Sequence, residues 1–153
     1  MICYRLAREQ FKDSLSGIGA AKYGGRWNSA GIEIVYTASS RALAMAELLV
    51  HLEMDEIPDD YYMMSIHIPD KLKIKYIEAD ALPTQWNRLV EYMPITKSIG
   101  NAFIQENKFC LLRVPSAVVK GDYNILINPY HKEFDKIKIT AADPFPFDHR
   151  LFE

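Results

Sequence analysis

Gly24-Gly25-Arg26-Trp27-Asn28-Ser29-Ala30-Gly31-Ile32-Glu33-Ile34-Val35-Tyr36-Thr37-Ala38-Ser39-Ser40-Arg41-Ala42-Leu43-Ala44-Met45-Ala46-Glu47-Leu48-Leu49 is the stretch that decides the fold class of this chain. Its middle, Ile32 to Thr37, alternates and is rich in β-branched residues, which predicts a strand with Tyr36 on the apolar side of Ile32 and Ile34. Ser39 or Ser40 is placed to cap the helix that follows. Alanine and leucine predict that helix from about Arg41 to Met54. Its apolar residues run nearly all round it through Val50, the pattern of a buried helix. Glu47 is the carboxylate that interrupts the run.

Upstream, Ile2-Cys3-Tyr4-Arg5-Leu6 reads as a first strand and residues 8–15 as a short helix. Ser14 to Gly25 carries Gly17, Gly19, Gly24 and Gly25, which suit sharp turns, close approach to a ligand or a surface loop. Downstream, Pro58-Asp59-Asp60 makes a turn. Strands are predicted for Tyr61–Ile68 and, half-exposed with alternating lysines, for Lys71–Ile77. Helices are predicted from Pro83 to Tyr92 and from Thr96 to Glu106. Phe109–Val114, Tyr123–Pro129 and Ile137–Thr140 complete the strands. Six to eight short strands and three or four helices, not in regular alternation, predict an α+β fold, as one domain over residues 1–153.

Composition narrows the function classes. At 49% hydrophobic and 25% charged the chain is globular. Eighteen Lys and Arg stand against 20 Asp and Glu, a balance with no electrostatic footprint for nucleic acid or for an anionic membrane. No apolar run has the length of a membrane span, and the residues from Met1 to Arg8 do not read as a signal peptide. Cys3 and Cys110 lie in apolar runs, as buried reduced thiols do, and point to a cytoplasmic protein. His51, His67, His131 and His149 lack metal-ligand spacing, so no metal is expected.

Arg26, Tyr36 and Glu47 are the first site candidates. A carboxylate in a buried helix costs several kcal/mol unless paired, so Glu47 is either functional or part of an ion pair, with an arginine or with His51 one turn on. Arg26 offers a rigid fork for phosphate, or else a bridge to Glu47 or Glu33. Tyr36 can stack on a flat ring or serve the core. Trp27 reads as packing. Ser116, after the strand ending Leu112-Arg113-Val114-Pro115, lacks the flanking glycines of a nucleophile elbow. It suits a hydrogen bond to a ligand, or the cap of a turn. Asn128 before Pro129 reads as a turn former. Asn124 and His131 lie beside it, and a lone loop histidine such as His131 is a weak base candidate.

These pieces together resemble the RES-domain proteins, the toxin half of bacterial toxin–antitoxin pairs. The matching runs are Tyr4-Arg5-Leu6-Ala7-Arg8, Gly24-Gly25-Arg26-Trp27-Asn28 with Gly31, Val35-Tyr36-Thr37-Ala38, and Ala42-Leu43-Ala44 leading to Glu47. Later come Leu112 to Val119, Asn124, Ile127-Asn128-Pro129 with His131, and Phe147-Asp148-His149-Arg150-Leu151-Phe152. The resemblance implies a fold related to ADP-ribosyltransferases, with a split, strongly bent β core and flanking helices. It implies a toxin that cleaves the nicotinamide–ribose bond of NAD by hydrolysis or phosphorolysis; some relatives instead transfer ADP-ribose to a protein. NAD is then a substrate, and no cofactor is expected. A helix-turn-helix antitoxin covering the active site is the implied partner. The family's functional positions fall on Arg26, Tyr36, Glu47 and Ser116, with Asn28 and Arg5 as further NAD contacts. Tyr61 and Tyr62, read as exposed, would suit an antitoxin interface or a homodimer.

Overall fold

The computed structural model describes residues 1–52, 59–88 and 93–153. Seven strands form one mixed sheet: β1 (Ile2–Arg8), β2 (Val35–Ala38), β3 (Tyr61–His67), β4 (Ile74–Tyr76), β5 (Leu111–Pro115), β6 (Tyr123–Ile127) and β7 (Lys138–Pro144), in the order β4-β5-β6-β2-β1-β3-β7. All pairs are antiparallel except β4 with β5. Three helices are described: α1 (Ile18–Tyr23), α2 (Arg41–Leu49) and α3 (Met93–Glu106). The α+β expectation holds.

The pairing is thinnest in the middle of the sheet. β1 pairs with β3 along its whole length, Ile2↔His67 to Arg8↔Tyr61, but its register with β2 is the single pair Tyr4↔Ala38. The sheet therefore opens between β1 and β2. On one face Cys3, Val35, Met64, Ile66, Leu111, Ile125 and Ile127 form a core. The other face carries two. Trp27, Ile34, Trp86, Phe103, Leu112, Val114 and Leu126 pack on the β5-β6-β2 side. Ala38, Leu43, Ala44 and Met63 pack near the opening, with Tyr4 and Leu6 against them.

Several sequence expectations are corrected. No helix covers residues 8–15: β1 runs on to Arg8, tied there by Arg8 to Asp60 at 2.6 Å, and a 3-10 turn follows at Glu9–Phe11. The glycine-bearing stretch contains α1, closed by Gly24 N–H on the Ala20 carbonyl at 2.8 Å. The strand around Tyr36 starts at Val35, not Ile32, and β4 is only three residues long. Ser40 is the cap of α2, its Oγ accepting from Leu43 N–H at 3.0 Å. That helix ends at Leu49, short of Met54; Met54 lies outside the described residues. Only Leu43 and Ala44 of α2 are buried, so the helix packs through one stripe and leaves Ala42 and Val50 exposed. Residues 83–88 form turns, with Trp86 N–H on Pro83 O and Arg88 N–H on Gln85 O; the rest of that predicted helix, 89–92, is not described. Tyr61 is buried edge-on against Phe147 and Tyr62 is half-buried. The exposed aromatic pair proposed for an interface is therefore not there. No helix among the described residues is long and apolar enough to cross a membrane.

Cys3 and Cys110 are buried free thiols. Burial pushes both from 9.0 up to about 11. Iodoacetamide near neutral pH is expected to spare both in the folded protein and to label both after guanidinium unfolding, as mass spectrometry would show. The linkage has a fixed sign. The unfolded chain ionises first, so this contribution to stability is intact below 9.0 and declines as pH rises towards about 11.

Candidate active site

Three elements bring Glu47 to the opening of the sheet. Leu43 and Glu47 are four residues apart and share a face of α2. Burial of Leu43 against the sheet therefore turns Glu47 inward, where it is half-buried. Ser116 follows β5 and Asn124 lies on β6, flanked by Val114 of β5 and Ala38 of β2. Glu47 Oε1 accepts from Ser116 Oγ–H at 2.7 Å and from Asn124 Nδ2–H at 2.6 Å. Ser116 has no choice of direction. Its oxygen already accepts from Val118 N–H at 3.1 Å and Val119 N–H at 2.9 Å, so its own hydrogen goes to the carboxylate. The turn-capping reading of Ser116 is observed, and its hydroxyl hydrogen is committed to Glu47. Among the described residues Oε2 of Glu47 makes no hydrogen bond, and neither Arg26, Glu33 nor His51 forms an ion pair with its proposed partner.

Arg26 and Tyr36 are set by the loop between α1 and β2. The loop is fastened to α3: Thr96 Oγ1–H donates to Arg26 O at 2.6 Å, and the Asn101 side chain accepts from Ser29 N–H at 3.0 Å and donates to Ser29 Oγ at 2.7 Å. Trp27 is buried against Trp86, ring centroids 6.0 Å apart, as a packing residue. Tyr36 donates its hydroxyl hydrogen to Asn28 Oδ1 at 2.7 Å and accepts from Trp27 N–H at 3.0 Å. A Cβ on Gly25 would sit 2.8 Å from both Asn28 Oδ1 and the Tyr36 hydroxyl oxygen, so this close approach requires glycine. Burial pushes the Tyr36 phenol well above its usual range, and it stays neutral.

The Arg26 guanidinium donates to the carbonyls of Trp86 and Asn87, both at 3.2 Å, and lies 5.9 Å from the Trp86 ring centroid. Burial pulls its pKa down, and the nearby Glu47 carboxylate and Tyr36 phenol offset part of that. Arg26 is thus within electrostatic range of both Glu47 and Tyr36, with no hydrogen bond to either. On the sheet Tyr36, Ala38 and Asn124 share a face, through the pairs Tyr36↔Leu126 and Ala38↔Asn124. Two surface hollows lie elsewhere: one of about 750 Å³ along α3, lined by Ser29, Lys97 and Asn101, and one of about 390 Å³ on the opposite sheet face, around Cys3, Arg113 and Tyr123.

Asn28 and Arg5 do not join the group as ligand contacts. Asn28 is fully buried; its amide donates to the carbonyls of Ala20 at 2.9 Å and Ile32 at 2.8 Å, and its oxygen holds Tyr36. It shapes the loop, with its amide spent inside the protein. Arg5 donates to Ser16 O at 2.9 Å, and strand alternation puts it on the face of Cys3 and Ala7, away from Tyr4. Burial lowers its pKa. Asn128 and His131 are turn residues: Asn128 Oδ1 accepts from Tyr130 N–H at 2.9 Å and His131 Nδ1 from Glu133 N–H at 3.2 Å. Asn124 is the contact residue that sequence reasoning left without a role.

Comparison with known proteins identifies the family. A toxin named Res from Photorhabdus laumondii is 40% identical over 153 residues, covering 99% of this chain and 97% of its own. The Prs ADP-ribosylating toxin of a Sphingobium strain is 37% identical, covering 95% of this chain and 91% of its own. The crystal structure of the Mycobacterium tuberculosis MbcT–MbcA toxin–antitoxin complex contains a chain that superposes with a TM-score of 0.77 at 19% identity, over 94% of this chain and 83% of that one. At that identity the likeness speaks to the fold alone. The family model of the RES domain matches residues 2–148, and with relatives that are toxins along their whole length, this chain belongs to the RES domain family.

Proposed function

We propose that this protein is the toxin of a toxin–antitoxin pair and that it breaks the nicotinamide–ribose bond of NAD, with water or phosphate taking up the ADP-ribose. The observation that carries this reading is the state of Glu47: Oε1 held by two donors, Oε2 without a hydrogen bond among the described residues, and Arg26 within electrostatic range. When the bond between ribose C1′ and the pyridine nitrogen breaks, its electron pair leaves with nicotinamide, which departs neutral. Positive charge develops on the sugar carbon and ring oxygen. A carboxylate fixed before the reaction stabilises that charge without reorganising, as carboxylates do at glycosidic bonds. Water then adds to C1′ and gives up a proton, or phosphate adds as the anion.

Arg26 supplies the fork for the pyrophosphate, exchanging its two long bonds to neutral carbonyls for charge-assisted ones. Tyr36 offers its ring to the nicotinamide or ribose, since its hydroxyl is committed at both ends. Ser116 acts through Glu47, and Asn28 through Tyr36. The reading uses NAD as substrate and calls on no metal and no cofactor. Loss of NAD from the cytoplasm would arrest growth. The partner in this reading is a helix-turn-helix antitoxin covering the site. The half-exposed apolar α2 beside Glu47 suits such a cover, and the MbcT chain comes from a toxin–antitoxin complex.

A protein acceptor is the second reading, favoured by the name of the Sphingobium relative. One experiment separates the two. Purified protein, freed of any antitoxin, is incubated with NAD labelled in its adenosine half, with and without phosphate and cell extract. Free nicotinamide with label in ADP-ribose or its 1′-phosphate is the expected result. Label on protein establishes the second reading, and no nicotinamide release under any condition ends both.

A further inference from the structure

Asn124 stands in an unusual electrostatic position. Its amide nitrogen donates to Glu47 Oε1 at 2.6 Å, while its oxygen is buried and accepts nothing among the described residues. Turning the amide over would aim Oδ1 at the carboxylate oxygen, lone pairs against lone pairs, and leave Nδ2 unused. The contact with Glu47 therefore decides the orientation, even though a buried acceptor stays unmatched. Ser116 adds a second donor to the same oxygen. Both donors act on Oε1 and neither on Oε2. The carboxylate is loaded on one side, with Arg26 within electrostatic range of it.

We propose that Asn124 is a positioning residue for Glu47: with Ser116 it ties down Oε1, so that Oε2 is the oxygen presented to the ribose. This rests on the NAD-cleaving reading and deepens it. The juxtaposition depends on the strand register, because Asn124 reaches α2 only while β6 lies between Val114 and Ala38. Of the charged groups near Glu47, Arg26 lies within electrostatic range and His51 is one turn further along the chain; neither donates a hydrogen bond to it.

The test compares wild type, Asn124→Ala and Asn124→Asp for nicotinamide release from NAD across pH, with thermal melts of each. Removing a group that orients a reactive ligand typically costs about 10- to 100-fold, so Asn124→Ala is expected to lose that much in kcat with KM changed by less than about threefold. Asn124→Asp keeps the shape and puts two carboxyl groups together. They share one proton at low pH, and the protonated aspartic acid then donates as the amide did. Its activity is expected to approach wild type at low pH and to fall as pH rises and the second proton leaves, a descending limb that wild type and Asn124→Ala lack. Wild-type kcat in both variants, an Asn124→Asp profile parallel to wild type, or failure of both variants to fold overturns the proposal, the last assigning Asn124 to the core. A wild type that releases no nicotinamide overturns the NAD reading itself, and the positioning role falls with it.

Discussion

Glu47→Gln is expected to lower nicotinamide release by about 10³-fold and to leave the melting temperature within a few degrees of wild type. The amide oxygen of glutamine can still accept from Ser116 and Asn124, so the links from α2 to β5 and β6 survive. What disappears is the negative charge that the proposed reaction sets against the sugar. Removal of one preorganised electrostatic group typically costs about 10²–10³ in kcat, and a full charge opposite a developing cation belongs at the upper end. Turnover counted as nicotinamide released per protein, together with a melt, checks both halves. Wild-type turnover in the variant would sink the assignment. A large drop in melting temperature would instead place Glu47 among the residues that hold the fold.

The second large effect is on stability. Gly100 lies on the buried side of α3 against Trp27, and a Cβ built there would land on the Trp27 carbonyl oxygen. Helix propensity alone makes Gly→Ala stabilising by up to about 1 kcal/mol. Here the sign reverses. The clash is with backbone, so α3 must move off the loop that holds Arg26, loosening the Thr96–Arg26 and Asn101–Ser29 bonds as it goes. Gly100→Ala is expected to destabilise by about 3 kcal/mol, at the upper end of overpacking costs, read as a shift in urea midpoint. NAD turnover is expected to fall with it, because Arg26 loses its support. Gly19→Ala is the control. It is also helical, nothing lies within 4 Å of the added carbon, and propensity should make it neutral or slightly stabilising. Equal effects at the two positions would contradict the close packing of α3 on Trp27.

Local pattern made parts of this fold legible. Val35–Ala38 and Arg41–Leu49 announce themselves by β-branched alternation and by alanine and leucine content, with Ser40 between them as the cap. Other parts misled for a stated reason. The glycines at 17, 19 and 24 speak against helix, yet α1 forms: Gly17 packs on the Ile34 backbone at its start, and Gly24 closes its end by an N–H bond to Ala20 O. Residues 83–88 have helical composition but are bent into turns, with Gln85 at φ 66° and Arg26 taking the carbonyls of Trp86 and Asn87. The apolar run of α2 suggested burial all round; the sheet buries one stripe, Leu43 and Ala44, and leaves Met45 to Leu49 half-buried. Asn28 carries the right chemistry for a ligand contact but lies inside the loop it shapes.

By itself the sequence determined the α+β class, the strand-to-helix unit, and the presence of a carboxylate, a guanidinium and a phenol close together along the chain. Those features are written in short-range periodicity and residue chemistry. Only the tertiary structure decided which groups hold that carboxylate. Ser116 and Asn124 lie 69 and 77 residues from Glu47. They meet it because β5, β6 and β2 pair in one register and Leu43 pulls α2 onto the open seam between β1 and β2. A one-residue slip of β6 would turn Asn124 to the far side of the sheet. No local pattern carries that information, since register is settled by burial of whole strand faces and not by any residue's neighbours in sequence.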